Sequence, residues 1–459
     1  MSFSGLNIGL SSLYAQRRGL EVAGQNLANA NTEGYSRQRV SLQSDAGPVL
    51  PAVWSRWSGA GSGVDVAGVA RMRDNFLEAR GVQERGNEAS LRSRETSLSR
   101  IEAMLGEPGK TGLQAQLSEF WSGWDDVANQ PNDLAARSQL LERATTVADG
   151  LNRVATQLDQ QWTGSRDQLL ATVTQINATA ANVAELNKTI ASATTAGLSP
   201  NDLSDQRDLL VGRLADMAGV TIRTGEAGTV DVYLQGNALV RGSQTEALSV
   251  RGATGLARPA GTVSVVWASD GRAAAAAGGQ VGGLLTALND IVPRYRDDLD
   301  QVAGSLRNIV NTGQQAGFLE DGTAGQAFFS GTTASDLEVA LTGPAQVAAS
   351  SSAAGGRDGA NALAMAEHGS DVGGADRLYR GLVVRLGVET QTATRRVEIQ
   401  SVITAQVGAA REAESGVNLD EEMVSMLAYQ RAYEGAARFV TAVDQMLDTL
   451  INRTGVVGR

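Results

Sequence analysis

The chain is 459 residues long with 39 basic and 50 acidic side chains, and its net charge of -11 argues against a nucleic-acid binder or an anionic-membrane surface protein, since both need basic patches. It has no cysteine and one histidine, which excludes disulfides, thiolate metal sites and cysteine nucleophiles and leaves little other metal chemistry. No basic residue precedes the first apolar stretch and no apolar run approaches membrane-spanning length, so neither a cleaved secretory signal nor membrane insertion is expected.

In the N-terminal segment Leu6, Leu13, Leu20 and Leu27 recur every seventh residue, with small residues Gly9, Ala23 and Ala30 on an adjoining position. Such a narrow seam predicts a coiled-coil helix that is only marginally stable alone. Asparagines and Gly34 in the run from Asn26 to Tyr35 supply the chemistry that stops a helix. Residues 37–72, with Pro48 and Pro51, read as extended strands or loops. From Asp74 to Leu105 the positions Leu91, Leu98, Ile101 and Leu105 keep a helical period, and Gly106-Glu107-Pro108-Gly109 ends it. Gly109-Lys110-Thr111 is read as a turn, because a phosphate-binding loop needs glycine where Met104 stands and a strand where the pattern is helical.

Phe120 to Pro131 combines aromatic anchors with a helix stop. Arg137 to Ile190 then holds helical spacing without proline, Gly164 being a candidate kink. Unbroken, that helix measures about 80 Å, longer than a compact globule accommodates, and implies an elongated rod. Asp202 to Met217 is a shorter helix, on which Asp205 and Asp208 beside Arg207 read as surface charges. From Gly219 the pattern turns to alternation and turn glycines, a β-rich insertion interrupted by helix near Leu284 to Asn311. Leu319 to Gly325 lacks the alternating ligands and closing glutamate of a calcium loop.

Residues 348–361 are rich in Ala, Ser and Gly and read as a flexible connection rather than core. Ala375 to Glu414 forms a second rod able to run antiparallel to the first, broken by Ser415 to Asn418. Asn418 is a candidate N-cap, followed by Asp420, Glu421 and Glu422, which suit a helix dipole. The heptad then returns at Met426, Tyr429, Tyr433, Ala436, Val440, Val443, Leu447 and Leu450.

The ten residues from Asn26 to Tyr35 resemble the N-terminal signature of the bacterial flagellar axial proteins, which comprise rod, hook and hook-associated proteins. The runs Gly416 to Glu422, Phe120 to Pro131, Ser204 to Asp208 and Asn361 to Ala366 are similar to the branch of that family found at the junction of hook and filament. Met423-Val424 and Gln430 to Tyr433 are equally like hook and rod proteins, so a hook or rod protein is the alternative; the two long helical rods weigh against it. The expected fold is mainly α with a β-rich insertion, an elongated multidomain axial protein. Its N- and C-terminal helices pair as a coiled coil, beside a long helical rod domain and an outer β domain. The expected segments are 1–38 (N-terminal coiled coil), 39–218 and 356–417 (rod), 219–355 (outer β-rich domain with its helix) and 418–459 (C-terminal coiled coil).

The resemblance implies a structural subunit of the flagellum without cofactor or catalysis, exported without a cleaved signal to the cell exterior and polymerising at the hook-filament junction. Implied partners are its own copies, the hook protein, a second junction protein with the filament side, and a cytoplasmic export chaperone at the C-terminal helix. Nucleic acid and membrane are not among them. The assembly residues expected are Leu6, Leu13, Leu20, Leu27, Asn29, Asn31, Thr32, Gly34 and Tyr35, with Met426, Tyr429, Tyr433, Val440, Val443, Leu447 and Leu450. A non-flagellar coiled-coil scaffold explains the heptads but not the Asn26 to Tyr35 run. A hydrolase housed in the β-rich insertion lacks a nucleophile-base pair, a metal cluster and a cofactor fingerprint.

Overall fold

A computed structural model describes residues 2–45, 61–257, 259, 261–274, 278–354 and 358–452. Pro48 and Pro51, residues 355–357 of the Ala/Ser/Gly-rich connection and the last seven residues of the C-terminal segment lie outside the described residues. Helix α1 (Ser2–Asn29) leads into an antiparallel hairpin of β1 (Gln38–Asp45) and β2 (Gly63–Arg71). Helix α2 (Asn75–Leu105) follows: the Asp74 carboxylate accepts the backbone N–H groups of Phe76 and Leu77 at its start, and Gly106 closes it at φ 61°. After α3 (Leu113–Asn129), α4 (Leu134–Thr195) runs 62 residues, about 93 Å at 1.5 Å per residue, and stays helical through Gly164. Helix α5 (Asn201–Ala218) returns along it.

The β-rich stretch comprises β3 (Thr221–Thr224), β4 (Val230–Leu234), β5 (Asn237–Arg241) and β6 (Gln244–Thr245) in one antiparallel sheet, with β7 (Leu248–Gly252) and β8 (Val263–Trp267) as a separate pair. Helices α6 (Gly279–Thr286) and α7 (Val292–Ala316), joined by one π turn, interrupt it before the two-residue strands β9 (Phe329–Ser330) and β10 (Glu338–Val339). Helices α8 (Ala360–Glu367), α9 (Ala375–Ser415) and α10 (Leu419–Asn452) complete the chain, which is mainly α with a β-containing insertion. No helix among the described residues is long and apolar enough to cross a membrane.

Strands this short leave backbone groups unpaired at their edges, and buried or half-buried amide side chains on the helices supply the missing partners. Asn187 of α4 donates to the carbonyls of Val230 (2.8 Å) and Gly242 (2.9 Å) and accepts the N–H of Val230 (3.1 Å). Asn177 clasps both backbone groups of Leu248 at 2.8 Å, and Asn311 of α7 does the same for Phe329 at 2.8 Å. The β segments are therefore bolted to the rod helices at fixed register.

One apolar core unites α2 to α9 with these strands, and an aromatic cluster of Phe120, Trp124, Phe328 and Phe329 lies fully buried within it. Three expectations are corrected. The second rod, α9, runs antiparallel to α2 and α7 rather than along α4: Arg411 meets Glu78 while Gln400 meets Glu84, and Glu389 meets Arg294 and Tyr295. Ala348, Ala349 and Ser350 are buried core, because Ser350 bridges to Phe318 and only small side chains fit there. Asp205 is buried and Asp208 nearly so, because arginines from β2 and the residues after it neutralise them. A second, separate cluster of Val22, Val40 and Val69 joins α1 to the β1-β2 hairpin.

Candidate assembly interface

The terminal helices α1 and α10 pack along one another in opposite directions, Gly5 lying opposite Val443, Gly9 opposite Val440 and Gly19 opposite Tyr429. The heptad of α10 faces this seam as expected: Ala436 and Val443 are buried and Met426, Tyr429, Val440 and Leu447 half-buried, with Tyr433 (39 % exposed) and Leu450 (56 %) turned outward. On α1 the seam differs from expectation. Its contacts run through Gly5, Gly9, Gly19, Ala23 and Asn26, and Leu6, Leu20 and Leu27 each sit one residue later than one of these, about 100° round the helix. Leu6, Leu13 and Leu20 are half-buried and Leu27 is exposed. Glycines let α10 side chains rest on the α1 backbone: a Cβ added to Gly19 would lie 2.5 Å from the Tyr429 ring.

The pair leaves a large apolar surface uncovered. Leu10 and Tyr14 on α1, and Met423, Val424, Leu427, Phe439, Met446 and Ile451 on α10, are each between 43 and 71 % exposed.

The helix stop joins this pair to the rod. Asn26 is 1 % exposed and fills its hydrogen-bonding capacity. Its Nδ2 donates to the Gln38 carbonyl (2.9 Å) and Glu422 Oε2 (3.1 Å), and its Oδ1 accepts from Gln38 N (2.9 Å) and the Tyr35 hydroxyl (2.8 Å). Burial pushes the Tyr35 hydroxyl up to about 12, with the charges of Asp202, Asp205 and Glu422 adding to it. Arg37 donates to Glu422 (2.7 Å) and Glu421 (2.8 Å), and the Ser36 N–H donates to Asp205 (3.1 Å), which also accepts from Arg71 (2.8 Å). Asn29 accepts from the Thr32 hydroxyl (3.2 Å), Asn31 is exposed, and Gly34 takes φ 82° against Leu209, a conformation that favours glycine.

Three runs far apart in sequence, Asn26 to Tyr35, Ser204 to Asp208 and Gly416 to Glu422, thus meet at one polar junction. Asn418 caps α10 by accepting from Asp420 N (3.0 Å), while Glu421, placed to complete a capping box, reaches Arg37 instead. Sequence reasoning missed Arg37, Asn201 and Arg71, for their partners lie more than a hundred residues away; Asn201 donates to Gln38 and the Val69 carbonyl.

Comparison with known proteins places these features in context. Residues 98–329 match the family model described as the flagellar hook-associated protein FlgK helical domain. Residues 6–35 match the flagella basal body rod protein family, and residues 412–453 the C-terminal family of flagellar basal body rod FlgEFG proteins. Flagellar hook-associated protein 1 of Bacillus subtilis is 29 % identical over 100 % of this chain and 99 % of its own length, and that of Escherichia coli 26 % identical over 97 % and 99 %. Among solved structures, the flagellar hook junction protein FlgK from Burkholderia pseudomallei superimposes with a TM-score of 0.64 at 17 % identity, covering 74 % of this chain and 100 % of that one, a likeness of fold.

Proposed function

From the match of its helical domain, by which the chain belongs to the flagellar hook-associated protein FlgK family, we propose that it is a structural subunit polymerising at the hook-filament junction through α1 and α10. The observation that carries this reading is the apolar surface left open on the paired terminal helices, where Tyr14, Val424, Leu427 and Met446 are more than half exposed. Leu6, Leu13, Leu20 and Leu27 flank that surface and, with Tyr433 and Leu450, serve as contacts to neighbouring copies, while Val440, against Gly9, and Leu447 face the pair's own seam. The run Asn29 to Tyr35, with Asn31, Thr32 and Gly34, fixes the angle at which the pair leaves the rod. Met426, Tyr429 and Val443 hold the pair together.

The chain divides in this reading into paired terminal segments (1–38 and 418–459), a rod (39–218 and 356–417) and an outer region (219–355). Its role is structural and non-catalytic. Hook protein lies on one side and a second junction protein with the filament on the other. The subunit leaves the cytoplasm through the flagellar export channel without a cleaved signal, and a chaperone covers α10 beforehand. Ordering the termini costs about 1 to 2 kcal/mol per residue, which burial of the open apolar surface offsets on assembly.

Sheared flagella test the reading. A few copies at the boundary of hook and filament support it, whereas copies along the whole hook or residence in the cytosol overturn it. Limited proteolysis of the monomer tests coupled folding: termini as resistant as the rod defeat that part.

A further inference from the structure

Away from the helix-pairing seam, a cavity of about 350 Å³ opens at the foot of the rod between α2, α5 and the β3-β4 hairpin. Its polar wall presents Arg71, Arg73 and Arg207 against Glu78 and Asp208; with Asp205 paired to Arg71 and Arg411 paired to Glu78 behind the wall, four guanidinium groups meet three carboxylates, in a chain whose net charge is -11. Both carboxylates of the wall are already crowded. Asp208 accepts from Arg71 (2.8 Å), from Arg207 (2.8 and 3.0 Å) and from Arg73. Glu78 accepts from Arg73 (2.7 Å) and, from beyond the cavity wall, from Arg411 (2.8 and 3.0 Å). Arg73 still has its buried Nε without an acceptor. Burial draws Arg207 down to about 9 and lowers Arg73 as well, with repulsion from neighbouring arginines adding in both cases. Arg207 spends Nη1 on the Gly228 carbonyl (2.7 Å) and its other two nitrogens on Asp208, so the buried guanidinium short of an acceptor is that of Arg73. It fits one class of ligand, since a planar oxyanion takes parallel N–H bonds from Nε and an Nη of one guanidinium. Thr224 stands at the exposed rim as an uncharged donor.

We infer that this cavity is an anion site, receiving a carboxylate or similarly sized oxyanion on Arg73, with Arg71 and Arg207 beside it supplying positive charge. The carboxylate has two possible sources of the same chemistry: an acidic side chain of a second copy, or a small free anion. The site does not depend on the assembly reading above.

The test is calorimetric titration of the full chain with sodium succinate and with sodium sulfate, at ionic strength held constant by sodium chloride and at protein concentrations where it is monomeric. One saturable site per chain is expected, weakened at least tenfold by Arg73→Gln. Thr224→Glu, which offers the cavity a carboxylate of its own, is expected to abolish binding and raise the melting temperature, and it keeps the test valid if Arg73→Gln does not fold. Absence of saturable binding, or undiminished affinity in Thr224→Glu, overturns the inference. With the site confirmed, slower self-association under saturating succinate identifies a neighbouring copy as the source, and unchanged self-association identifies a free anion.

Discussion

Replacing Gly19 by alanine sets two opposed effects against each other on one helix. In isolation α1 gains, because alanine in a helix interior is worth about 1 kcal/mol over glycine. In the folded pair the new Cβ would stand 2.5, 2.6 and 2.7 Å from Cε1, Cδ1 and Cζ of Tyr429. Carbon contacts settle near 3.5 to 4 Å, so the ring must retreat by about 1 Å or swing off the helix. Overpacking of this kind costs about 1 to 3 kcal/mol, and a half-buried tyrosine that swings out forfeits about 2 kcal/mol of burial. Taking about 2 kcal/mol for the clash, its net over the helix gain is about 1 kcal/mol. Since the proposed assembly surface rides on this pair, self-association measured by sedimentation velocity should weaken roughly 5-fold, while the circular dichroism of an isolated α1 peptide shows more helix. Truncating the ring by Tyr429→Leu should reverse the sign, so that Gly19→Ala then helps, a coupling of at least about 1 kcal/mol. Self-association equal to or stronger than wild type in the single variant would refute a seam built on Gly19 and Tyr429.

Three further outcomes are expected. Asp376, at the start of α9, accepts from Trp121 Nε1 (2.5 Å) and Gln114 Nε2 (3.2 Å), while Gln114 Oε1 is buried without a partner. Asp376→Asn removes a buried charge but leaves Gln114 no better satisfied, because turning its amide over puts Nε2 where Oε1 had no partner; thermal unfolding at pH 7 should change by less than about 1 kcal/mol. Burial raises the Asp376 carboxyl, so its contribution to stability is complete below the ordinary carboxylate range and lost as pH climbs through the raised value; the Asn variant should lack that decline. Asn187→Leu strands the backbone groups of Val230 and Gly242 in the core and should cost about 3 kcal/mol or more in denaturant unfolding. Tyr35, raised to about 12, contributes stability that is complete below pH 10 and fades towards 12; the ultraviolet difference between wild type and Tyr35→Phe should show tyrosinate appearing near the higher value.

The long helices were legible because period and punctuation agreed. Leu98, Ile101 and Leu105 mark α2 and Asn418 caps α10, and each signal is local. Large apolar residues carry a periodic signal, and that is why the leucines stand out while the seam of α1 shows only in part: Gly9 and Ala23 register as small residues beside the leucines, but Gly5 and Gly19 have no hydrophobicity to register. The buried state of Asp205 was equally invisible, since an acid on a helix reads as solvated until its partner is known, and Arg71 comes 134 residues earlier. Ala348 to Ser350 were misread for the opposite reason: low complexity mimics a linker, yet small residues are what a crowded site between Phe318 and Asn361 admits.

The chemistry of the junction between terminal pair and rod has its own consequence. The rod's apolar core and the small valine cluster beneath α1 are separate, and what spans them is polar: Asn26, Tyr35, Arg37, Asp205 and Glu422. An apolar joint would tolerate sliding, since greasy contacts exchange neighbours at little cost. A fully used asparagine does not, because a displacement of about 1 Å strands buried donors and acceptors worth about 1 to 3 kcal/mol each. The junction therefore has one low-energy register, and when it opens it exposes groups that water satisfies, leaving the rod core untouched. If the termini order on assembly as proposed, such a joint sets a defined angle for the pair without drawing on the core of the rod.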